Sequence, residues 1–265
     1  WVDIDKKWED QQVIINIGGV KSCFYLWVNG HFVGYSEDAK TNSEFDITKF
    51  VRFGEQNLIA LQVFKWSDGS YFECQDFWRL SGIERDITLY AQPKTHILDY
   101  KVVADLDSTY QNGVLDVEVT VETMMDTIIP TFIPGGFRQP DYTITLELNG
   151  KILRTKDVFF NGERKITIPF HKIIPDVKTW TAEKPYLYQL TIVLCQPVGI
   201  ALKPPCRIPH IETDTIPIGF RNIRIENGLL LVNGVPVTIR GVDRHEHDPR
   251  PGHVVSKERM EQDIR

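Results

Sequence analysis

The run Val114-Leu115-Asp116-Val117-Glu118-Val119-Thr120-Val121 alternates apolar and polar side chains, and Tyr142-Thr143-Ile144-Thr145-Leu146-Glu147-Leu148 does the same. Successive side chains of an extended strand point to opposite faces, so this period of two buries one face and wets the other. Short β-branched and aromatic runs recur through the first 91 residues as well: Val13-Ile14-Ile15-Asn16-Ile17, Cys23 to Val28, His31 to Tyr35, Leu58 to Phe64 and Ile83 to Tyr90. Asn29-Gly30 and Asn149-Gly150 follow apolar runs and accept the positive φ angles of a tight primed turn, which predicts hairpins there. Leu58-Ile59-Ala60-Leu61-Gln62-Val63-Phe64 is long and apolar enough to be read as a strand covered on both faces. Such closely spaced strands with little helical signal leave an all-β architecture as the only economical reading.

The pattern divides into three regions. Residues 1–91 carry about five or six strands of a sandwich or jelly roll. Residues 92–220 carry about seven, which fits an immunoglobulin-like β-sandwich, although no Cys…Trp…Cys spacing marks an antibody-type domain. Further strands are read at Lys165 to Phe170 and Leu187 to Leu194, with exposed loops at Pro130 to Pro140 and Pro197 to Pro209. Residues 221–265 change character. Leu229 to Val232, Asn233-Gly234 and Val235 to Ile239 form a hairpin-like pair, and Arg240-Gly241-Val242-Asp243 runs straight on from it. A polar loop, His245-Glu246-His247-Asp248-Pro249, then leads to a helix capped by Ser256, with Glu258 in its first turn and Met260 and Ile264 on one face. Strand, loop and helix make one βα unit of a (β/α)₈ barrel that needs eight such units and ~250 residues.

Composition excludes several classes. With 42% hydrophobic and 25% charged residues the chain is neither disordered nor collagenous. A formal charge of −6 without a basic stretch argues against nucleic acid and anionic membranes as partners. No apolar run approaches the ~20 residues of a bilayer span. The start, Trp1-Val2-Asp3-Ile4-Asp5, has no signal-like pattern and reads as a cut end. Cys23, Cys74, Cys195 and Cys206 are read as small buried hydrophobes; only Cys195 and Cys206, which flank a Pro-rich turn, suggest a cross-link.

Two clusters carry chemistry. Trp66-Ser67-Asp68-Gly69-Ser70-Tyr71-Phe72-Glu73-Cys74-Gln75-Asp76-Phe77-Trp78-Arg79 sets aromatics beside carboxylates. Aromatic faces stack on the C–H surfaces of sugars while carboxylates accept hydroxyl hydrogen bonds, and the same oxygens suit a small hard cation. The plainer reading is an ordered loop in which Asp68 and Ser70 form side-chain turns while the tryptophans fill a core. The second cluster is Asp243-Arg244-His245-Glu246-His247-Asp248. His-x-His invites zinc, but no distant third ligand is evident; its weight comes from lying after a barrel strand, on the face where such enzymes assemble their sites.

At these clusters the chain resembles glycoside hydrolase family 2 β-galactosidases. The matching motifs are Leu26-Trp27-Val28-Asn29-Gly30, Val33-Gly34-Tyr35-Ser36, Ser43-Glu44-Phe45-Asp46, Trp66 to Tyr71, Gln75 to Arg79 and Ser81-Gly82-Ile83-Glu84-Arg85-Asp86-Ile87. Ile218-Gly219-Phe220-Arg221, Ile225-Glu226-Asn227-Gly228 and Arg240 to Pro249 follow in the family's order. The likeness is weak between about Asp105 and Trp180. Two features depart from the family: Asp243 stands where it usually has Asn, and the loop from Cys195 to Pro209 differs from its usual short hairpin.

The resemblance implies a partial, galactose-binding-like jelly roll over residues 1–91, N-terminally incomplete, an immunoglobulin-like β-sandwich over 92–220, and the first βα unit of a truncated TIM barrel over 221–265. It implies that Asp68 contacts a sugar hydroxyl and a bound sodium ion, that His245 supports the galactosyl ring, and that Arg244 orients the carboxylates of the site. The acid/base and nucleophile glutamates and the magnesium ligands are expected beyond Arg265. The expected parent is therefore a retaining β-galactosidase, with sodium and magnesium in the full-length enzyme, no cofactor in this segment, and no turnover by it alone. A non-catalytic carbohydrate-binding module and a β-glucuronidase-like relative are the alternatives. Unpaired strand edges predict self-association or a homo-oligomer, and residues 221–265 are expected to order only by docking. The expected compartment is the cytoplasm, with the periplasm as the alternative.

Overall fold

In the computed structural model, residues 1–73, 78–125, 128, 130–133, 136–196 and 210–265 are described. They form two compact units, Trp1–Gln92 with Gly241–Arg265, and Pro93–Arg240.

The first unit contains two three-stranded antiparallel sheets. In one, Gln12–Ile17 lies between Ile87–Gln92 and Ser43–Asp46. In the other, Cys23–Val28 lies between His31–Glu37 and Ile59–Phe64. Alternation decides the inner faces. Val13, Ile15 and Ile17 from one sheet and Phe24, Leu26 and Val28 from the other form a single buried core with Val20 and Ile47. Asn29 (φ 50°) and Gly30 (φ 82°) make the expected turn between Val28 and His31. The strand read as doubly covered is a correction. Ile59–Phe64 is an edge strand whose alternate residues Ala60, Gln62 and Phe64 are exposed, because its second face lies outside the sandwich.

The second unit is a sandwich of three and four strands. Gly113–Thr123 pairs with Thr95–Leu106 and Lys165–Ile174; Tyr142–Leu148 and Tyr188–Cys195 form the centre of the other sheet, flanked by Lys151–Val158 and His210–Ile218. Leu115, Val117, Val119 and Val121 face Ile144, Leu146, Leu190, Ile192 and Leu194 across one core. The seven principal strands match the number expected for an immunoglobulin-like sandwich. The stretch read as a loop from Pro130 holds a short pair, Phe132–Ile133 with Phe137–Arg138. The guanidinium of Arg138 fixes it by donating to Asp141 Oδ2 (2.9 Å) and to the Phe160 carbonyl (2.8 Å). The Pro197–Pro209 loop and Cys206 lie outside the described residues; Cys195 and Cys23 are buried free cysteines.

Near the C-terminus, Ile223–Glu226, Leu229–Val232 and Val235–Pro236 form a small meander. The strand expected through Ile239 ends at Pro236, and Ile239 and Val242 are exposed. A barrel strand is held by parallel neighbours on both sides, and among the described residues none is assigned to 237–243. The only α-helix among the described residues is Lys257–Ile264, capped as expected by Ser256, whose Oγ accepts from the Arg259 amide at 3.3 Å.

Candidate functional site

Asp68 opens a short 3₁₀ turn, Asp68–Tyr71, three residues beyond the strand Ile59–Phe64. Serines shape this turn. The Ser67 amide donates to Ser70 Oγ (2.9 Å), and Ser22 Oγ donates to Ser67 Oγ (2.8 Å), which ties the loop to the adjacent sheet. The hydroxyl turn of the plainer reading is thus present, but its tryptophan core is not: Trp66 is 57% exposed and Trp78 44%. Cys74, Gln75, Asp76 and Phe77 lie outside the described residues.

Asp68 and Trp66 line a cavity of about 310 Å³ with Tyr25, Tyr35, Glu37 and Phe64. Cross-strand register gathers these residues: Tyr25 stands opposite Tyr35 and Gln62, and Cys23 opposite Glu37 and Phe64, all on the face turned away from the core. The Tyr25 ring centroid is 4.7 Å from Tyr35 and 5.8 Å from Phe64. Tyr35 Oη donates a hydrogen bond to Glu37 Oε1. Loss of solvent around the phenol, reinforced by the Glu37 carboxylate, pushes its pKa far above 10, so Tyr35 remains a neutral donor. Sequence reasoning did not single out Tyr25, Tyr35, Glu37 or Phe64 as site residues, because Cys23, Tyr25 and Trp27 each meet an aromatic (Phe64, Tyr35 and Phe32) on only one neighbouring strand and the pairing is set by register.

His245 is exposed and stacks on His247, with centroids 5.9 Å apart and planes at 23°. His247 in turn packs on Trp78 at 4.7 Å. Arg79 donates to the Ser70 carbonyl at 3.2 Å. Asp68 and His245 are therefore linked through Ser70, Arg79, Trp78 and His247. Arg244 forks onto Asp263 through Nε and Nη2, each at 2.9 Å, and ties the polar loop to the helix; Arg259 shares that carboxylate at 3.0 Å. Among the described residues no group of three or more His, Cys, Asp and Glu is gathered for a metal. A cation held at Asp68 would find Glu37 lining the same cavity, but among the described residues no third His, Cys, Asp or Glu gathered with them.

A second cavity, about 580 Å³, is lined by Asn16, Lys40, Glu84, Arg85, Glu246 and His253 among others. His253 Nδ1 lies 3.0 Å from Glu84 Oε1, and Lys40 Nζ lies 2.6 Å from Glu84 Oε2. Burial lowers the His253 pKa below its usual 6.5 despite the opposing pull of Glu84.

Three domains of one family match in order. The sugar-binding domain of glycosyl hydrolases family 2 matches residues 1–93, the central family 2 domain matches 95–200, and the family 2 TIM barrel domain matches 223–265. The chain belongs to glycosyl hydrolases family 2. A β-galactosidase of Priestia megaterium is 38% identical over 264 residues, covering 97% of this chain and 24% of its own length. One from Enterobacter cloacae is 38% identical over 274 residues, covering 99% and 24%. This family 2 chain thus spans about a quarter of the length of the curated relatives it matches. Its fold is shared by a family 2 member from Bacteroides cellulosilyticus (TM-score 0.79, 21% identity, 99% of this chain and 34% of that one). It is shared too by the β-glucuronidase of Bacteroides uniformis (TM-score 0.76, 18% identity, 99% and 31%).

Proposed function

We propose that this chain serves a retaining glycosidase acting on terminal β-D-galactosides, contributing substrate contacts but not the two catalytic carboxyls. The observation that carries this is 38% identity to β-galactosidases along nearly the whole chain, with the Asp68 loop exposed beside aromatic rings. Retaining hydrolysis needs two carboxyls ~5 Å apart, one protonating the leaving oxygen and one attacking the anomeric carbon. Neither of the carboxyls closest in sequence to Asp68 is assigned that work here. Glu73 accepts from the Ala39 amide at 3.4 Å, and Asp76 lies outside the described residues. In this reading Asp68 accepts a hydrogen bond from a sugar hydroxyl, and His245 supports the ring from the polar loop. Arg244, through Asp263, holds that loop in place. Sodium beside Asp68 and magnesium elsewhere in a longer enzyme belong to the same proposal.

The test has two arms. The purified 265-residue chain should not hydrolyse p-nitrophenyl β-galactoside; appreciable turnover would refute the assignment of the catalytic carboxyls elsewhere. In a longer protein carrying this segment, Asp68→Ala should raise KM for the galactoside. Preference for p-nitrophenyl β-glucuronide over the galactoside would move the reading to a β-glucuronidase, whose fold is equally compatible.

A further inference from the structure

The strand Ile223–Glu226 is the outer edge of the small meander and pairs with Leu229–Val232 on one side only. All four of its residues are exposed. The Asn233 amide donates to the Asn222 carbonyl at 2.8 Å, so the backbone groups of Asn222 turn toward the meander. Peptide direction alternates along an antiparallel strand. Arg224 and Glu226 therefore turn the same way as Asn222, and the N–H and C=O of Ile223 and Ile225 are left at the open edge. Ile225 is 78% exposed, and its face of the meander is apolar: cross-strand register puts Ile223, Leu230, Val232 and Val235 on the same side. The opposite face carries the ion pair of Arg224 Nε with Glu226 Oε2 at 2.8 Å.

An exposed apolar edge with free ladder groups is a template for another strand, and the side chains decide which strand fits. We propose that Ile223–Glu226 pairs antiparallel with the same strand of a second copy of this chain, about a two-fold axis through Ile225. In that register Ile225 meets its own counterpart, and the two exchange both N–H···O=C bonds, as the outward direction of these groups requires. Arg224 lies opposite the counterpart of Glu226, and Glu226 opposite that of Arg224, so unlike charges face each other at two symmetric places. Arg224 also donates to Tyr110 Oη, which restrains the guanidinium on that face before pairing and reduces the freedom lost on association. A patch that is its own complement closes at two copies. Other edges lack this property. Pairing Ser43–Asp46 with itself about Phe45 would set Glu44 against Asp46, two like charges. Lys165–Ile174 carries Pro169, which has no amide to donate. The surface lies in the second unit and uses neither Asp68 nor His245, so it stands apart from the function proposed above.

The experiment is sedimentation equilibrium on the full 265-residue chain and four variants. The unaltered chain should dimerise with Kd of order 100 μM, the weak end expected for a small interface. Ile225→Lys should weaken dimerisation about tenfold or more, with an unchanged circular dichroism spectrum because the side chain is exposed. Arg224→Glu and Glu226→Arg each set like charges opposite one another twice and should each weaken it about tenfold. The double variant Arg224→Glu/Glu226→Arg restores unlike pairs and should recover affinity to within about threefold of the original. Three results overturn the proposal. One is a chain that stays monomeric up to roughly 1 mM. Another is association unchanged by Ile225→Lys, which would assign it to the edges of the first unit. The third is a double charge exchange no better than either single variant.

Discussion

Gly113 faces the Phe220 ring so closely that a Cβ placed there would lie 2.7 Å from Cδ1 of that ring and 2.9 Å from Val177 Cγ1. Phe220 is fully buried and packs edge-on against Tyr188 at 5.3 Å. Gly113→Ala therefore overpacks a filled site and is expected to cost about 1–3 kcal/mol, and Phe220→Ala about 3–5 kcal/mol, both read from urea unfolding. Titration at His96 gives a pH dependence with a definite sign. Its ring is 2% exposed, with Nδ1 3.1 Å from the Pro93 carbonyl and Nε2 3.8 Å from Glu122, which also pairs with Lys165 at 3.1 Å. Burial holds the pKa below 6.5, more than the Pro93 carbonyl and Glu122 raise it, and Lys165 adds to the lowering. The unfolded chain then binds the proton more readily. This contribution is complete above about pH 6.5 and is lost as pH falls from there through the lower folded value. The thermal midpoint should fall between pH 7.5 and 5.5, and His96→Gln should flatten that decline.

Turns and caps were readable because their chemistry is local. Asn29-Gly30, Asn149-Gly150 and Asn233-Gly234 all have positive φ at both positions, as the dipeptide demands. At Gly30 nothing lies within 4 Å of an added Cβ, so Gly30→Ala meets only the left-handed backbone penalty, about 1 kcal/mol. Comparing it with Gly113→Ala in the same unfolding assay separates backbone strain from steric crowding. Ser256→Ala should release about 1 kcal/mol of helix stability. Hydrogen exchange across Lys257–Ile264 is the appropriate measurement, since the helix buries no residue and its fraying leaves the cores intact. Less legible elements had mixed patterns. Thr95–Leu106 went unread because its register shifts between Ile97 and Asp99, which breaks the alternation. Val237 to Ile239 has a strand's composition, yet a β-branched run forms a strand only where a neighbour supplies the ladder.

Each of the two units has its own apolar core. Residues 93–240 expressed alone should therefore unfold in one cooperative transition; a gradual, non-cooperative melt would contradict an independent core. The three-stranded sheets of the first unit leave Ser43–Asp46, Ile87–Gln92, His31–Glu37 and Ile59–Phe64 as edges. Such edges template further pairing, so sedimentation should show association that grows with concentration. Alternation, turn dipeptides and a serine cap act over a few residues, so the all-β class, the hairpins and the final helix were determined by the sequence itself. The Asp68 loop was legible as chemistry through its composition, but its surroundings were not. Tyr25, Tyr35, Glu37 and Phe64 come from three strands, and only strand order and cross-strand register place them beside Asp68. Tertiary structure decided that arrangement because a period of two fixes which face a side chain takes, while the neighbour it meets there depends on which strand pairs alongside.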